Sequence, residues 1–294
     1  MNEFGQESSE HLLVSMAKVL FINNISEIYC IAPSTKVKPT LQNYLDAFRI
    51  IECTSGFYSI VCDTQDQAII SLFAKSLENF LKANSPKIGF VGIDNDYKNA
   101  LSIAKAINNP RMCLAFPDSF CENNPNIVSS AITATALACT VATNNKFKNL
   151  TVPHIKPVKT LFDKDKIITL HTNGISIVRS LNNKTIVEKV VTAGKINANL
   201  PSDIYYLLTF DNILNDIIRY VEEVKKKSTF NLVSRRALLS QVICILLKKR
   251  SLNLISSFDI PKVNYGLNSS ISISVSINLF YLDQDIPIVL NLVI

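Results

Sequence analysis

The chain has 294 residues, enough for one large domain or two smaller ones, each with its own core. Apolar side chains make up 48% of it and charged ones 18%, a surplus that must go into a core, a membrane or a subunit interface. The longest apolar stretch, residues 127–143, is too short and too rich in Ser and Thr for a bilayer span, and Glu3, Glu7 and Glu10 stand where a secretory signal would be basic, so no membrane insertion is expected.

The net charge of +6 gathers in Lys225-Lys226-Lys227, Arg235-Arg236 and Lys248-Lys249-Arg250. No aromatics are interleaved with these clusters. They fit solvated helix faces, or a contact with an acidic patch on a neighbouring subunit, better than a nucleic-acid site. The seven cysteines form no Cys-x-x-Cys pair and the three histidines (His11, His154, His171) are scattered, which points to buried thiols rather than a metal site.

In chain order, Ser8 or Ser9 is placed to cap a helix whose Leu12, Leu13, Met16, Val19 and Leu20 share a face and which Asn23-Asn24 ends. Residues 27–32 (EIYCIA) have the composition of a buried strand. A helix over 41–51, a strand over 57–62 and a helix capped by Asp63 or Thr64 follow. Next come a strand over 87–93, a helix over 98–107, a strand over 112–116 and a small-residue helix over 127–142. Short apolar strands alternating with amphipathic helices predict an α/β domain, a doubly wound, largely parallel sheet covered on both faces, over residues 1–150.

The pattern changes near Pro153 and Pro157. Strands over 175–179 and 186–192 flank Leu181-Asn182-Asn183-Lys184, a hairpin turn, and long helices are expected over 204–226 and 234–250. Residues 151–294 therefore form an α+β part that ends in strands. From Ile271 to Leu279 the alternation is strict, with Ser272, Ser274, Ser276 and Asn278 on the second face. Residues 286–294 (IPIVLNLVI) are apolar on nearly both faces. Such a strand needs a sheet to pair with, in its own subunit or in a neighbour's. Ile286, Ile288, Leu290, Leu292 and Ile294 are the candidate residues of an inter-subunit strand.

A search for chemistry returns little. Gly89-Phe90-Val91-Gly92 lacks the Lys-Ser or Lys-Thr of a phosphate loop, and neither GxGxxG nor GxSxG occurs. Asp94-Asn95-Asp96 follows a strand, where a cation site is conceivable, but it also makes a good helix cap. His171-Thr172-Asn173-Gly174 has the form of a turn ahead of a strand. No catalytic, metal or cofactor residues are assigned.

Two regions together resemble the Mu-like contractile phage tail sheath family. One is the opening, Glu3-Phe4-Gly5-Gln6-Glu7-Ser8, then a helix ending at Asn23-Asn24 and a strand at Glu27-Ile28-Tyr29-Cys30-Ile31. The other includes Leu150-Thr151-Val152-Pro153 with Pro157, Leu170-His171-Thr172-Asn173-Gly174-Ile175-Ser176, Val190-Val191-Thr192-Ala193 and Tyr205-Tyr206-Leu207-Leu208. It continues through Arg236-Ala237-Leu238-Leu239-Ser240 and Leu252-Asn253-Leu254-Ile255 to the closing strands. Gln6-Glu7 replaces the second glycine of the family's opening turn. The resemblance implies a non-proteolytic, subtilisin-like α/β portion and a protomer that polymerises with itself into stacked rings around a tail tube protein. It further implies capping by baseplate and tail terminator proteins, and contraction of the rings without nucleotide. Terminal arms would knit the rings by strand exchange. Family members carry an amino-terminal arm ahead of the Phe-Gly turn and this sequence starts almost at that turn, so a truncated, split or altered mesh is expected. The alternatives are a non-sheath α/β interaction protein and a flavodoxin-like small-molecule binding protein or enzyme.

Overall fold

In the computed structural model, residues 12–33, 39–93, 96–143, 148–158, 162–194, 203–227, 235–265, 270–281 and 284–293 are described. The chain divides into two units, Met1–Ile196 with Pro201–Ile204, and Asn197–Leu200 with Tyr205–Ile294. The break expected at residue 150 falls inside the first unit, because the hairpin that follows it extends the first unit's sheet.

The first unit contains α1 (Leu12–Ile22), α2 (Leu41–Cys53), β1 (Ser59–Cys62), α3 (Gln67–Lys82), β2 (Ile88–Gly92), α4 (Tyr97–Ile107) and β3 (Met112–Phe116). Then come β4 (Ser119–Cys121), β5 (Asn124–Ser129), α5 (Ser130–Thr143), β6 (Lys148–Thr151), β7 (Ile155–Pro157), α6 (Lys164–Thr172), β8 (Ile175–Leu181) and β9 (Lys184–Lys189). Six strands form one sheet in the order β1-β2-β3-β8-β9-β6. The first four run parallel and the last two antiparallel, so the sheet is mixed. Strands β5-β4-β7 make a separate small sheet.

Both faces of the parallel part are covered. Every residue of β2 and β3 is buried, as the unbroken apolar runs require. On one face Phe73 and Leu77 of α3 press on Gly89, and Phe48 of α2 stacks on Phe73 with ring centroids 5.1 Å apart. On the other face lies α5, rich in Ala and Thr, with α1 packed against it. Its first turn sits so close to β2 that a Cβ on Gly92 would stand 1.7 Å from the Ser130 carbonyl oxygen.

Several boundaries differ from the sequence reading. The cap of α3 is Asp66, which accepts from the Ala68 amide, rather than Asp63 or Thr64. Residues 127–129 belong to β5, so the small-residue helix starts only at Ser130. Residues 27–32 form no strand: Tyr29 lies against Phe57 (ring centroids 5.6 Å) and Ile31 packs on the core, so side chains rather than a backbone ladder hold the segment. The β8–β9 turn is as expected, with Asn182 and Asn183 at φ 51° and 60°, the left-handed pair that a two-residue hairpin loop demands. Ser8, Ser9 and the Phe4-Gly5 turn lie outside the described residues.

Gly92→Ala is expected to destabilise the first unit by about 3 kcal/mol or more, since the clash is with backbone that cannot rotate away. Urea unfolding followed by circular dichroism checks this; an unchanged midpoint would mean that α5 shifts freely.

Candidate assembly interface

The second unit consists of α7 (Ile204–Lys227), which begins at the last residue of the first unit, α8 (Arg235–Ser251), β10 (Ile255–Phe258), β11 (Lys262–Tyr265), β12 (Ile271–Tyr281) and β13 (Gln284–Val293). Lys249 of α8 is buried and its ammonium meets Asp216 and Asn212 of α7, which ties the two helices together. Strand β12 is the centre of the sheet. Strands β11 and β10 follow one another along one side of it, and β13 runs antiparallel along the other for ten consecutive pairs, Ser272↔Val293 through Tyr281↔Gln284.

Alternation sorts the side chains. Ile271, Ile273, Val275, Ile277 and Leu279 of β12 and Ile288, Leu290 and Leu292 of β13 are all buried. They share the inner layer with Ile255 and Val263, while α8, with buried Leu238, Val242 and Leu246, packs on β10 and β11. The outer face carries Ser272, Ser274, Ser276 and Asn278, and Asn278 donates to Ser257 at 2.8 Å. Across from those serines, Val289 and Val293 remain 58% and 66% exposed. The two-sided apolarity of residues 287–293 thus resolves into a buried row and an exposed one.

Of the five candidate residues, Ile288, Leu290 and Leu292 point into the core of their own unit. Ile286 pairs with Leu279 through its backbone, its side chain being outside the described residues, as is Ile294 altogether. The exposed residues, Val289 and Val293, were missed. The parity of β12 carried across the hairpin is the signal that finds them.

The backbone of β13 has its own polarity. The Asp259 amide donates to the Ser276 carbonyl at 2.9 Å, so Ser276 directs its backbone groups towards β10 and β11. Backbone direction alternates along an antiparallel strand. Val275 and Ile277 therefore bond to Leu290 and Ile288, and Pro287, Val289, Asn291 and Val293 aim their backbone groups away from β12. Pro287 fits there because it has no amide hydrogen to lose. Among the described residues no strand pairs with this outer edge.

Elsewhere, groups with chemical potential are committed to structure. At the carboxyl ends of the parallel strands, where α/β enzymes bind ligands, the Gln65 side chain donates to the Gly92 carbonyl at 2.9 Å and to the Ser130 hydroxyl. Asp66 and Asp96 cap α3 and α4; Asp94 and Asn95 lie outside the described residues. Burial pushes the Cys62 and Cys139 thiols up to about 12, and raises Cys113 as well, so near neutral pH they are uncharged and poor nucleophiles. Among the described residues no three His, Cys, Asp or Glu side chains stand together as a metal ion would need, and no helix is long and apolar enough to cross a membrane.

Comparison with protein-family models and with curated proteins finds no match. Solved structures do match. A sheath tail protein from Desulfitobacterium hafniense superposes with a TM-score of 0.69 at 15% identity, over 87% of this chain and 60% of that one. A sheath tail protein from Listeria innocua gives 0.69 at 13% identity, over 86% and 60%. The contracted sheath of an extracellular contractile injection system gives 0.67 at 14% identity, over 98% of this chain and 78% of that one. The fold is that of contractile sheath proteins. The chain spans about 60% of the length of the two sheath tail proteins.

His171 lies in the last turn of α6, its ring nitrogens buried. Burial holds its imidazole below the usual range; Lys189 and Arg179 act the same way, and Glu188 and the Ile175 backbone oppose them. The folded state therefore takes up this proton less readily than the unfolded chain, and stability is lost as pH falls below about 6.5. His171→Gln is expected to flatten the decline of unfolding free energy as pH falls below about 6.5. Equal slopes in wild type and variant would refute the assignment.

Proposed function

We propose that the protein is a subunit of a contractile sheath, in a phage tail or a phage-derived injection particle. The observation that carries this is the likeness to a contracted injection-system sheath over 98% of the chain. A second observation agrees: among the described residues no strand pairs with the outer side of β13, and residues 286–293 carry no ionisable side chain.

As a sheath subunit the chain acts by assembly, not catalysis. It polymerises with itself into stacked rings around a tail tube protein, between baseplate and tail terminator proteins, and is assembled in the bacterial cytoplasm. Contraction releases free energy stored in the packing of the extended lattice and uses no nucleotide. Strand β13, with Ile286, Ile288, Leu290 and Leu292 on it, and Ile294 after it in the sequence, is the link between neighbouring subunits. It either adds a strand to another copy or receives one along its outer edge. An α/β protein that binds one partner without polymerising would share the fold but form no tubes.

Negative-stain electron microscopy over a concentration series, with and without a tail-tube protein, tests this. Rings or helical tubes are expected; a monodisperse particle under every condition, tube protein included, would overturn the reading.

Variants separate edge from core. Val289→Lys with Val293→Lys is expected to block assembly while the thermal unfolding midpoint stays within a few degrees, because both residues face solvent. Leu290→Lys with Leu292→Lys is expected to unfold the second unit, since each puts an unpaired charge into the inner layer. Equal effects from the two pairs would show that β13 leaves its own sheet.

A further inference from the structure

Helix α6 packs on β8 and is held there by a small apolar contact. Of its residues only Leu170 is buried; Ile167 and the preceding Phe162 are partly buried against the same core, and Ile168 is exposed. Thr169, Thr172 and the cap residue Asn173 turn their polar side chains back onto the carbonyls of Asp165, Ile168 and Thr169. These bonds hold the helix together, not the helix to the sheet.

His171 sits in this thinly anchored element. Both its ring nitrogens are buried, and neither has a hydrogen-bond partner among the described residues. The charges that act on the ring belong to Arg179 of β8 and to Glu188 and Lys189 of β9. Glu188 is engaged by Arg179 (Nε to Oε2, 3.1 Å) and Lys189 by Asp203 (3.5 Å). On α6 itself, Lys164, Asp165 and Lys166 lie at the far end of the helix from His171. A proton on the ring would thus meet two cations and an anion already paired.

We infer that α6 is a proton-operated latch: with His171 neutral it lies closed on β8, and with His171 protonated its last turn lifts off while the rest of the unit stays folded. A buried cation without a partner is far more costly than a buried neutral imidazole, and exposing the ring relieves it. The shortest way to water is through α6, where few buried contacts must break, rather than through β2 and β3, which are buried throughout. Opening would bare apolar surface on β8, whose Ile175 and Ile177 share a core cluster with Leu170.

The closed form binds the proton less readily than the open one. The latch is therefore shut above about pH 6.5, the value for an exposed imidazole. Below it the open fraction rises by up to about tenfold per pH unit, the limit set by one proton. The latch does not depend on the sheath reading.

Hydrogen exchange of the full chain, followed by mass spectrometry from about pH 8 to about pH 5 and corrected for the chemical exchange rate, tests this at concentrations where no tubes form. Protection of residues 167–172 is expected to fall by up to about tenfold per pH unit below about pH 6.5, while that of α3 holds. His171→Gln and the apolar His171→Leu are each expected to remove this pH dependence. His154→Gln, at an exposed histidine, is expected to keep it. Protection lost from α6 and α3 together would mean that the whole unit unfolds, and would overturn the latch. So would an α6 indifferent to pH, or a slope that survives both His171 variants. Tube formation is scored separately by microscopy, so failure of the latch leaves the sheath reading standing.

Discussion

Strand β12 has a partner on each side, and the second unit is organised by that fact. Its alternation puts Ile271, Ile273, Val275, Ile277 and Leu279 inside and Ser272, Ser274, Ser276 and Asn278 outside, so a one-residue slip would drive four polar side chains into the core. The register is therefore fixed for both neighbours. On one side two short strands share the length; on the other β13 takes all of it. With β12 flanked on both sides, the edge of the sheet moves outward by one strand, to β13, in which Asp285 is the one ionisable residue.

The first unit is built on a different constraint. A helix rich in Ala and Thr lies against the parallel sheet because Gly92 has no side chain to hold it off, and the Gln65 amide stitches the helix start to the end of β2. This close fit fills the end of the sheet that ligand-binding α/β proteins leave open. Among the described residues there, Asp66 and Asp96 cap helices and the Cys62 thiol is buried.

The sequence shows the β2 and β3 strands, the α2, α3 and α4 helices and the Asn182-Asn183 hairpin to within a residue or two, because each is written in local terms: continuous apolar runs, helical spacing, a left-handed turn pair. Residues 27–32 have the composition of a strand yet lack a ladder, since composition cannot reveal whether a neighbour is present. Short strands β4, β5 and β7 were invisible because three to six residues carry too little pattern. Strand β13 was legible as a segment but not by side. Ile288, Leu290 and Leu292 carry the larger apolar side chains and turn inward, and only the pairing with β12 shows that Val289 and Val293 face out.

The hairpin geometry of β12 and β13 also decides how the unit bears mechanical load. Ser272 and Val293 are paired at the open end of the hairpin. Tension applied at residue 293 and resisted at the start of β12 would therefore peel the ladder one pair at a time, the weakest mode for a sheet. Force entering sideways through the outer edge, along the strand axis, would instead be shared as shear by all ten pairs. A lattice that rotates its subunits while keeping them joined gains from the second arrangement, in which the joint yields only when the whole ladder fails together.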